Sequence, residues 1–270
     1  MRERREELKK LLYELNLIPR KSKGQSFLLS ESIASSIVDA LSLSPGEHVL
    51  EIGGGLGILT RELLKREAKV HVVEVEKKLA NLLSTNFPDA HVIQANFLRL
   101  DLSFLPEGTK VVGNLPYSIT KPILTKLLRE RKRFPLWVIT IQKEVAERIL
   151  AQPGTREYGF LSILFKMYAE VEYLFTIRPD FFYPRPGVLS AVLRVRITEP
   201  PFDTCEEFER FIKLCLRWKR KTLYNNLKDM GIERKKIEKE TGISLDKRAE
   251  DLRPEEFHRL YTAVKKFQEE

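Results

Sequence analysis

Cysteine is nearly absent from this chain. Only Cys205 and Cys215 occur in 270 residues. With no CxxC pair, that excludes a disulfide framework and a thiolate zinc site, and it points to a reducing compartment. Histidine is scarce as well. His48, His71, His91 and His258 are scattered along the sequence with no pair at i, i+4 spacing, so no metal site is expected. Long uncharged apolar runs are missing too. The chain opens MRERREELKK, charged and helix-like, which argues against a secretory leader or a membrane span and for a cytoplasmic protein. Repeats and low-complexity segments are lacking. Acid is outnumbered: 47 Lys and Arg stand against 38 Asp and Glu, a net charge of +9. An excess of that size favours polyanions, and counterion release makes nucleic acid the natural partner.

What is present is a globular composition, 43% hydrophobic and 31% charged, in a chain long enough for one large domain and a smaller one. Ile33, Ala34, Ile37, Val38 and Leu41 fall on one helical face. Short apolar segments then alternate with helical ones. Strands are expected at His48–Ile52, Val70–Val75, His91–Ile93, Val111–Gly113 and Trp137–Ile141, with helices at Leu59–Arg66, Lys77–Ser84, Ile123–Arg131 and Glu144–Leu150. Strands separated by helices imply a parallel sheet covered on both faces, hence an α/β doubly wound fold. Leu161–Ile177 and Leu189–Ile197, rich in β-branched and aromatic residues, read as two long strands forming an antiparallel pair at the sheet edge. After Pro200–Pro201 the pattern is helical, with helices expected at Glu206–Trp218, Arg220–Lys228, Glu233–Thr241 and Pro254–Gln268. A domain boundary is expected near residue 200, followed by a small all-helical domain.

Val49–Thr60 reads VLEIGGGLGILT, a strand breaking through glycines into a helix. Glycine lets the backbone turn sharply and approach a ligand without Cβ atoms in the way. The dinucleotide fingerprint G-x-G-x-x-G requires glycine where this chain has Ile58. The spacing is instead E-x-G-x-G-x-G, the S-adenosylmethionine variant of the loop, and this together with the lack of a hydride-transfer constellation disfavours a nicotinamide dehydrogenase. Glu51, at the strand end, is placed to face a cationic ligand or to orient the loop. Glu74 ends the next strand, where a carboxylate accepts hydrogen bonds from ribose hydroxyls; Glu76, two residues on, is the alternative.

Val111–Tyr117 reads VVGNLPY. Asn and Pro are common in ordinary turns, but Asn114-Leu115-Pro116-Tyr117 also meets a particular chemical need. The exocyclic amine of adenine is a poor nucleophile because its lone pair is delocalised into the ring. The Asn114 side-chain oxygen and the Leu115 carbonyl are suited to accept its N–H bonds and aim the lone pair at a sulfonium methyl. Pro116 would stiffen the loop, and Tyr117 would stack on a flipped base.

With these motifs, the chain resembles the ribosomal RNA adenine N6-dimethyltransferase family over nearly its whole length. The shared segments are Gly24-Gln25-Ser26-Phe27-Leu28, EIGGGLG, NLPY and Gln142-Lys143-Glu144-Val145-Ala146. Further on they are Phe182-Tyr183-Pro184-Arg185-Pro186 with Val188 and Ser190-Ala191-Val192, then Arg220-Lys221-Thr222 with Asn226-Leu227, and Arg248-Ala249-Glu250. The resemblance implies a Rossmann-like S-adenosylmethionine methyltransferase domain over residues 1–199, with a basic segment at 1–23, and a helical RNA-binding domain over 200–270. It implies that Gln25, Ser26, Leu28, Glu51, Gly53, Gly55, Glu74, Val75, Asn96, Phe97 and Asn114 hold S-adenosylmethionine. Asn114, Leu115, Pro116 and Tyr117 would be catalytic, with Phe182 closing on the target base from the other side. It further implies dimethylation of two adjacent adenosines in a hairpin near the 3′ end of small-subunit ribosomal RNA, within an immature 30S-type subunit; separately, a monomer is expected.

The chain departs from the family pattern in three places: Ser26, where Asn or His is usual; Gly54, where Pro is common, a change expected to be tolerable; and Asn96, in QANFL, where Asp usually accepts the cofactor's adenine amine. A neutral amide acceptor there is expected to weaken binding by on the order of 1 kcal/mol. Lys213–Lys221 contains Lys213, Arg217, Lys219, Arg220 and Lys221 with no acid and with Trp218 and Tyr224 nearby. Such a run is either a solvated helix face or an RNA-tracking surface. Arg20, Lys21 and Lys23 would extend that surface. Two rival readings remain: a large-subunit adenine methyltransferase of the macrolide-resistance type, and a non-catalytic RNA-binding assembly factor. The helical tail with its Arg220-Lys221-Thr222 and Arg248-Ala249-Glu250 motifs favours the small-subunit enzyme over the first, and the intact NLPY loop argues against the second.

Overall fold

The computed structural model describes residues 2–19, 25–200 and 202–269. The described chain separates into two compact units, Met1–Ala146 with Val171–Ile197, and Glu147–Glu170 with Thr198–Glu270.

The first unit is built on a seven-stranded sheet. Its strands are β2 (His48–Ile52), β3 (Lys69–Glu74), β4 (His91–Gln94), β5 (Lys110–Asn114), β6 (Leu136–Gln142), β7 (Ala169–Ile177) and β9 (Ser190–Ile197), in the order β4-β3-β2-β5-β6-β9-β7. The five strands β4 to β6 are parallel, and β9 runs antiparallel to β6. β6 is buried over Leu136–Ile141, the continuous apolar pattern of a strand covered on both faces. Helices α2 (Glu31–Asp39), α3 (Ile58–Leu64), α4 (Lys77–Asn86) and α5 (Thr120–Arg129) accompany it, and α6 (Lys143–Leu150) follows β6 directly. α2 begins where Ser30 Oγ accepts the Ile33 N–H at 3.3 Å, an N-cap bond. It packs Ala34, Ile37 and Val38 into the core with Val49, Val112 and Val138. Strand order reverses between β2 and β5, the topological switch point beyond whose carboxyl ends an open α/β sheet binds its ligand. Both glycine loop and NLPY leave the sheet there.

A two-stranded sheet lies outside the main one: β1 (Phe27–Leu28) pairs antiparallel with β8 (Phe182–Tyr183). The amino-terminal helix α1 (Arg2–Glu14) buries Leu8 and Leu12 in a satellite cluster with Leu17, Phe27, Leu29 and Leu79.

The second unit contains α7 (Phe160–Tyr168), α8 (Glu206–Cys215), α9 (Leu223–Leu227), α10 (Arg234–Thr241) and α11 (Pro254–Glu269). Two differences from the expected pattern meet here. Residues 161–177 are not one strand: α7 takes the first half and β7 the second. The apolar run FLSILFKMY suits a buried helix as well as a strand, and periodicity alone does not separate the two. Gly159 settles it locally, its N–H donating to Ser162 Oγ at 3.1 Å to start the helix. Residues 147–170, placed by sequence in the first domain, cluster with the helical unit. Tyr158 carries its buried hydroxyl to the Leu252 carbonyl at 2.9 Å, and the Gly154 N–H reaches the Glu250 carbonyl at 2.8 Å.

Candidate active site

A cavity of about 320 Å³ opens at the switch point. Of the residues assigned to the site from sequence, it is lined by Gln25, Ser26, Leu28, Glu51, Gly53, Gly55, Glu74, Val75, Asn96, Phe97, Asn114 and Pro116. Sequence reasoning missed Phe27, Leu56, Ile119 and Ile123, which supply much of its apolar wall. Phe27 and Leu56 lie within the GQSFL and EIGGGLG segments, whereas nothing but a nonpolar residue type marks Ile119 and Ile123 in the sequence.

The glycine loop is held in a left-handed path, with φ of +78° at Gly53, +55° at Gly55 and +82° at Gly57. A Cβ on Gly53 would meet nothing within 4 Å, so its backbone is open to a ligand. Gly54 is different. A Cβ there would sit 2.4 Å from Val72 Cγ1 and 2.8 Å from Leu83 Cδ1. Glycine is the residue that fits here, where Val72 and Leu83 fill the space a side chain would need.

Glu51 is 1% exposed. One carboxyl oxygen accepts the Thr60 hydroxyl at 2.6 Å, and the other, Oε1, is buried with no partner. Burial, with a smaller push from nearby Glu74, raises the carboxyl to about 8 against the pull of the Thr60 bond. The folded pKa thus exceeds the unfolded one near 4.5, so the stability tied to the protonated form is complete below about 4.5 and is lost as pH rises through about 8. Glu51→Gln, which stays neutral, is expected to gain thermal stability relative to wild type on going from pH 5 to pH 8. A constant difference in melting temperature would contradict that.

Glu74 is also buried. Its carboxylate accepts N–H bonds from Gly55 at 3.0 Å and from Glu76 at 2.9 Å. Burial raises its pKa, and those backbone bonds pull it back. The same carboxylate therefore fixes the glycine loop while each oxygen keeps acceptor capacity toward the cavity.

Asn114 ends β5. Its Nδ2 donates to the Ser26 carbonyl at 2.7 Å. A carbonyl only accepts, so this bond decides the orientation of the amide and leaves Oδ1 as the free acceptor. Ser26 Oγ in turn donates to the Pro184 carbonyl at 3.1 Å, tying the GQSFL segment to both NLPY and FYPRP. Leu115 is buried, its N–H on the Thr140 carbonyl at 2.9 Å. Leu115 and Tyr117 do not line the cavity. The Tyr117 hydroxyl is bonded to buried Ser190 Oγ at 2.5 Å, which anchors the ring from behind, and burial raises its pKa.

One assigned role is corrected. Phe182 is 0% exposed and belongs to the main core cluster, because the β1–β8 pairing sets it opposite Leu28. It is not presented to an incoming base. Asn96 does line the cavity, but its Oδ1 accepts the Leu98 N–H at 3.0 Å, capping the short 3-10 turn Phe97–Arg99. That oxygen keeps a second lone pair, as each oxygen of Glu74 does.

The basic run does not form one helix face. α8 ends at Cys215, and residues 216–221 form the turn before α9. Buried Asn226 fixes this turn, accepting the Trp218 N–H at 3.0 Å and donating to the Trp218 and Thr222 carbonyls at 3.3 and 3.2 Å. Lys219 is partly committed, its Nζ donating to the Tyr158 carbonyl at 3.1 Å. The Arg217 guanidinium lies 4.4 Å from the Trp218 ring centroid. Arg220 and Lys221 are exposed and enter no ion pair among the described residues. Arg20, Lys21 and Lys23 lie outside the described residues. The histidines that look scattered in sequence are in part brought together: His48 Nδ1 lies 3.0 Å from His71 Nε2, and His71 Nδ1 lies 3.4 Å from His91 Nδ1, on neighbouring strands. Among the described residues no group of three His, Cys, Asp or Glu side chains is arranged to hold a metal ion, and no helix is long and apolar enough to cross a membrane.

A mostly parallel sheet with an antiparallel edge, a glycine loop and an acid at the switch point together define a Rossmann-like methyltransferase domain. The comparisons with known proteins narrow that class. The family model described as ribosomal RNA adenine dimethylase matches residues 17–266, and the chain belongs to that family. It is 38% identical over 252 residues to the ribosomal RNA small subunit methyltransferase A of Prosthecochloris aestuarii, covering 92% of this chain and 95% of that protein. Its fold matches a dimethyladenosine transferase from Plasmodium falciparum with a TM-score of 0.76 at 24% identity, over 89% of this chain and 98% of that one. The 23S rRNA methyltransferase ErmE matches with a TM-score of 0.66 at 27% identity, over 88% and 99% of the two chains.

Proposed function

We propose that this protein transfers methyl groups from S-adenosylmethionine to the N6 amines of two adjacent adenosines in a hairpin near the 3′ end of small-subunit ribosomal RNA, acting as a cytoplasmic monomer on an immature 30S-type subunit. The observation that carries the reading is the Asn114 amide, locked by the Ser26 carbonyl so that its oxygen alone is left to receive an amine.

The cavity's residues suit the cofactor. Gly53 leaves its backbone open to close approach, the orphaned Glu51 Oε1 offers an acceptor to a cationic group, and Glu74 keeps acceptor capacity for ribose hydroxyls. When bound, the cofactor supplies an electrophilic methyl on a sulfonium. The protein's part is positioning. Asn114 Oδ1 and the Leu115 carbonyl accept the two amine N–H bonds and draw the lone pair out of conjugation. The Tyr117 ring, anchored through Ser190, stacks on the flipped base. Leaving the base-facing role to Tyr117 is consistent with the burial of Phe182. As the new N–C bond forms, the S–C bond breaks, and the amine's proton passes to solvent.

The methyltransferase part is assigned to residues 1–199 and the RNA-binding part to 200–270, with 147–170 supporting the latter. The exposed turn carrying Arg217, Arg220 and Lys221 supplies phosphate contacts, to which Lys219 adds less because its ammonium is partly committed. Charge reversal at Arg220 and Lys221 together is expected to weaken binding to unmodified small subunits. It should also flatten the salt dependence by roughly one unit of log–log slope for each phosphate left without its cation. An unchanged slope would retire this surface. The target position is tested by reverse transcription. A dimethylated N6 has no N–H left for base pairing, so extension should stop at two adjacent adenosines in small-subunit RNA treated with enzyme and cofactor. Read-through there, or stops in large-subunit RNA alone, would overturn the assignment. The fold similarity to ErmE keeps the large-subunit reading as the rival. The two tail motifs that favour the small-subunit reading are joined by the Thr222–Arg248 bridge.

A further inference from the structure

The chain has two tryptophans. Trp137 is fully buried in β6, whereas Trp218 is 44% exposed in the turn between α8 and α9. A single exposed apolar side chain needs no explanation by itself. What sets Trp218 apart is how it is held and what surrounds it.

Its backbone is fixed on both sides. The N–H donates to buried Asn226 Oδ1 at 3.0 Å, and the carbonyl accepts the Lys221 N–H at 2.9 Å and Asn226 Nδ2 at 3.3 Å. The Arg217 guanidinium lies over the ring, 4.4 Å from its centroid. Among the described residues no other ring or cation lies on the indole, which leaves aromatic surface toward solvent. Lys213–Lys221 contains no acid, and Arg217, Arg220 and Lys221 enter no ion pair among the described residues. Tyr224, 37% exposed, is the contrasting case: the cation over its ring, Arg234 at 5.6 Å, is already paired with Glu238 and Asp246.

We infer that Trp218 stacks on one unpaired base of the RNA, so that this turn recognises a single-stranded nucleotide and not phosphate charge alone. The inference rests on the reading of the turn as a nucleic-acid surface. In a duplex each base face is covered by its neighbours, and RNA then offers a protein only grooves and backbone. An unpaired base offers its face, and an indole is suited to it whatever the base. Arg217, Arg220 and Lys221 supply cations for the phosphates on either side. The ordering cost is small, because the backbone is already fixed and the side chain has only two torsions to lose.

The test titrates the full chain with three polyanions matched in charge: single-stranded oligocytidylate, the same phosphodiester strand without bases, and polyglutamate. Cytidine keeps adenine, the base proposed for methyl transfer, out of the comparison. Wild type is expected to bind oligocytidylate about tenfold more tightly than the abasic strand, the scale of one base–aromatic stack. Acrylamide quenching of tryptophan fluorescence should fall on binding, because Trp137 is buried and Trp218 supplies the quenchable signal. Trp218→Leu should lower the affinity for oligocytidylate to that for the abasic strand, and Trp218→Phe should keep most of the preference. Equal affinity of wild type for the two strands, or a preference that survives Trp218→Leu, overturns the inference while leaving the charged surface in place. Polyglutamate bound as tightly as oligocytidylate would assign the turn to an acidic protein and overturn it as well. Failure of wild type to bind either strand at low salt overturns the surface reading and the inference together.

Discussion

Asn114→Ala is expected to lower the rate of methyl transfer by about 10²–10³-fold, the scale of losing one preorganised polar group that acts on the reacting atoms, while S-adenosylhomocysteine binding stays within about threefold. The two effects are expected to separate because Asn114, although the resemblance also assigns it to the cofactor, has its Nδ2 spent on the Ser26 carbonyl. That leaves the Glu51 and Glu74 carboxyls and the glycine loop as the principal proposed cofactor contacts. Asn114→Asp is the sharper variant. It keeps an oxygen in the right place but sets a carboxylate against the Ser26 carbonyl, with no N–H between them. It is expected to be as impaired as alanine, because the oxygen must be held as well as present. Single-turnover rates with saturating cofactor check both. Near-normal rates in either variant would remove Asn114 from the chemistry.

Gly57→Ala is expected to cost about 2–4 kcal/mol of stability in the first unit, from a left-handed backbone that a non-glycine residue resists and from overpacking. Gly57 caps α3 at φ +82°, and a Cβ there would lie 2.2 Å from Phe87 Cε2 and 2.8 Å from Phe87 Cζ. Gly46 is the built-in control. Its φ is +81°, yet a Cβ there meets nothing within 4 Å. Gly46→Ala should therefore show the conformational part alone, about 1–2 kcal/mol. Guanidinium unfolding of both variants measures the difference. Equal losses would mean that Phe87 moves aside freely and that packing at the loop contributes nothing.

Much of this molecule can be read from its residues. The five parallel strands carry short apolar runs bounded by turn residues, and the glycine loop, Glu74 and NLPY stand at strand ends where the switch-point rule expects a ligand. The differences have physical causes. FLSILFKMY is apolar but for Ser162 and Lys166, too few polar positions to set a period, and a buried helix looks like a strand. Phe182 carries a motif but not its own depth. Its burial follows from pairing with Leu28, which lies more than 150 residues away in sequence. The histidines look scattered because parallel register, which sets His71 opposite His91, is written in no local pattern. By residue type alone, Asn96 is a neutral acceptor. The cap that its oxygen also makes belongs to the three-dimensional turn, although Asn just before a short helical segment is a recognisable capping signal.

This chain belongs to the ribosomal RNA adenine dimethylases, and its substrate is adenine in small-subunit ribosomal RNA. The most direct test is to incubate it with labelled S-adenosylmethionine and, in parallel, unmethylated small and large ribosomal subunits, then digest the RNA and identify the labelled nucleoside. Label recovered as N6,N6-dimethyladenosine from the small subunit is the result expected here. Label confined to the large subunit, or no label on either while subunit binding persists, would contradict it.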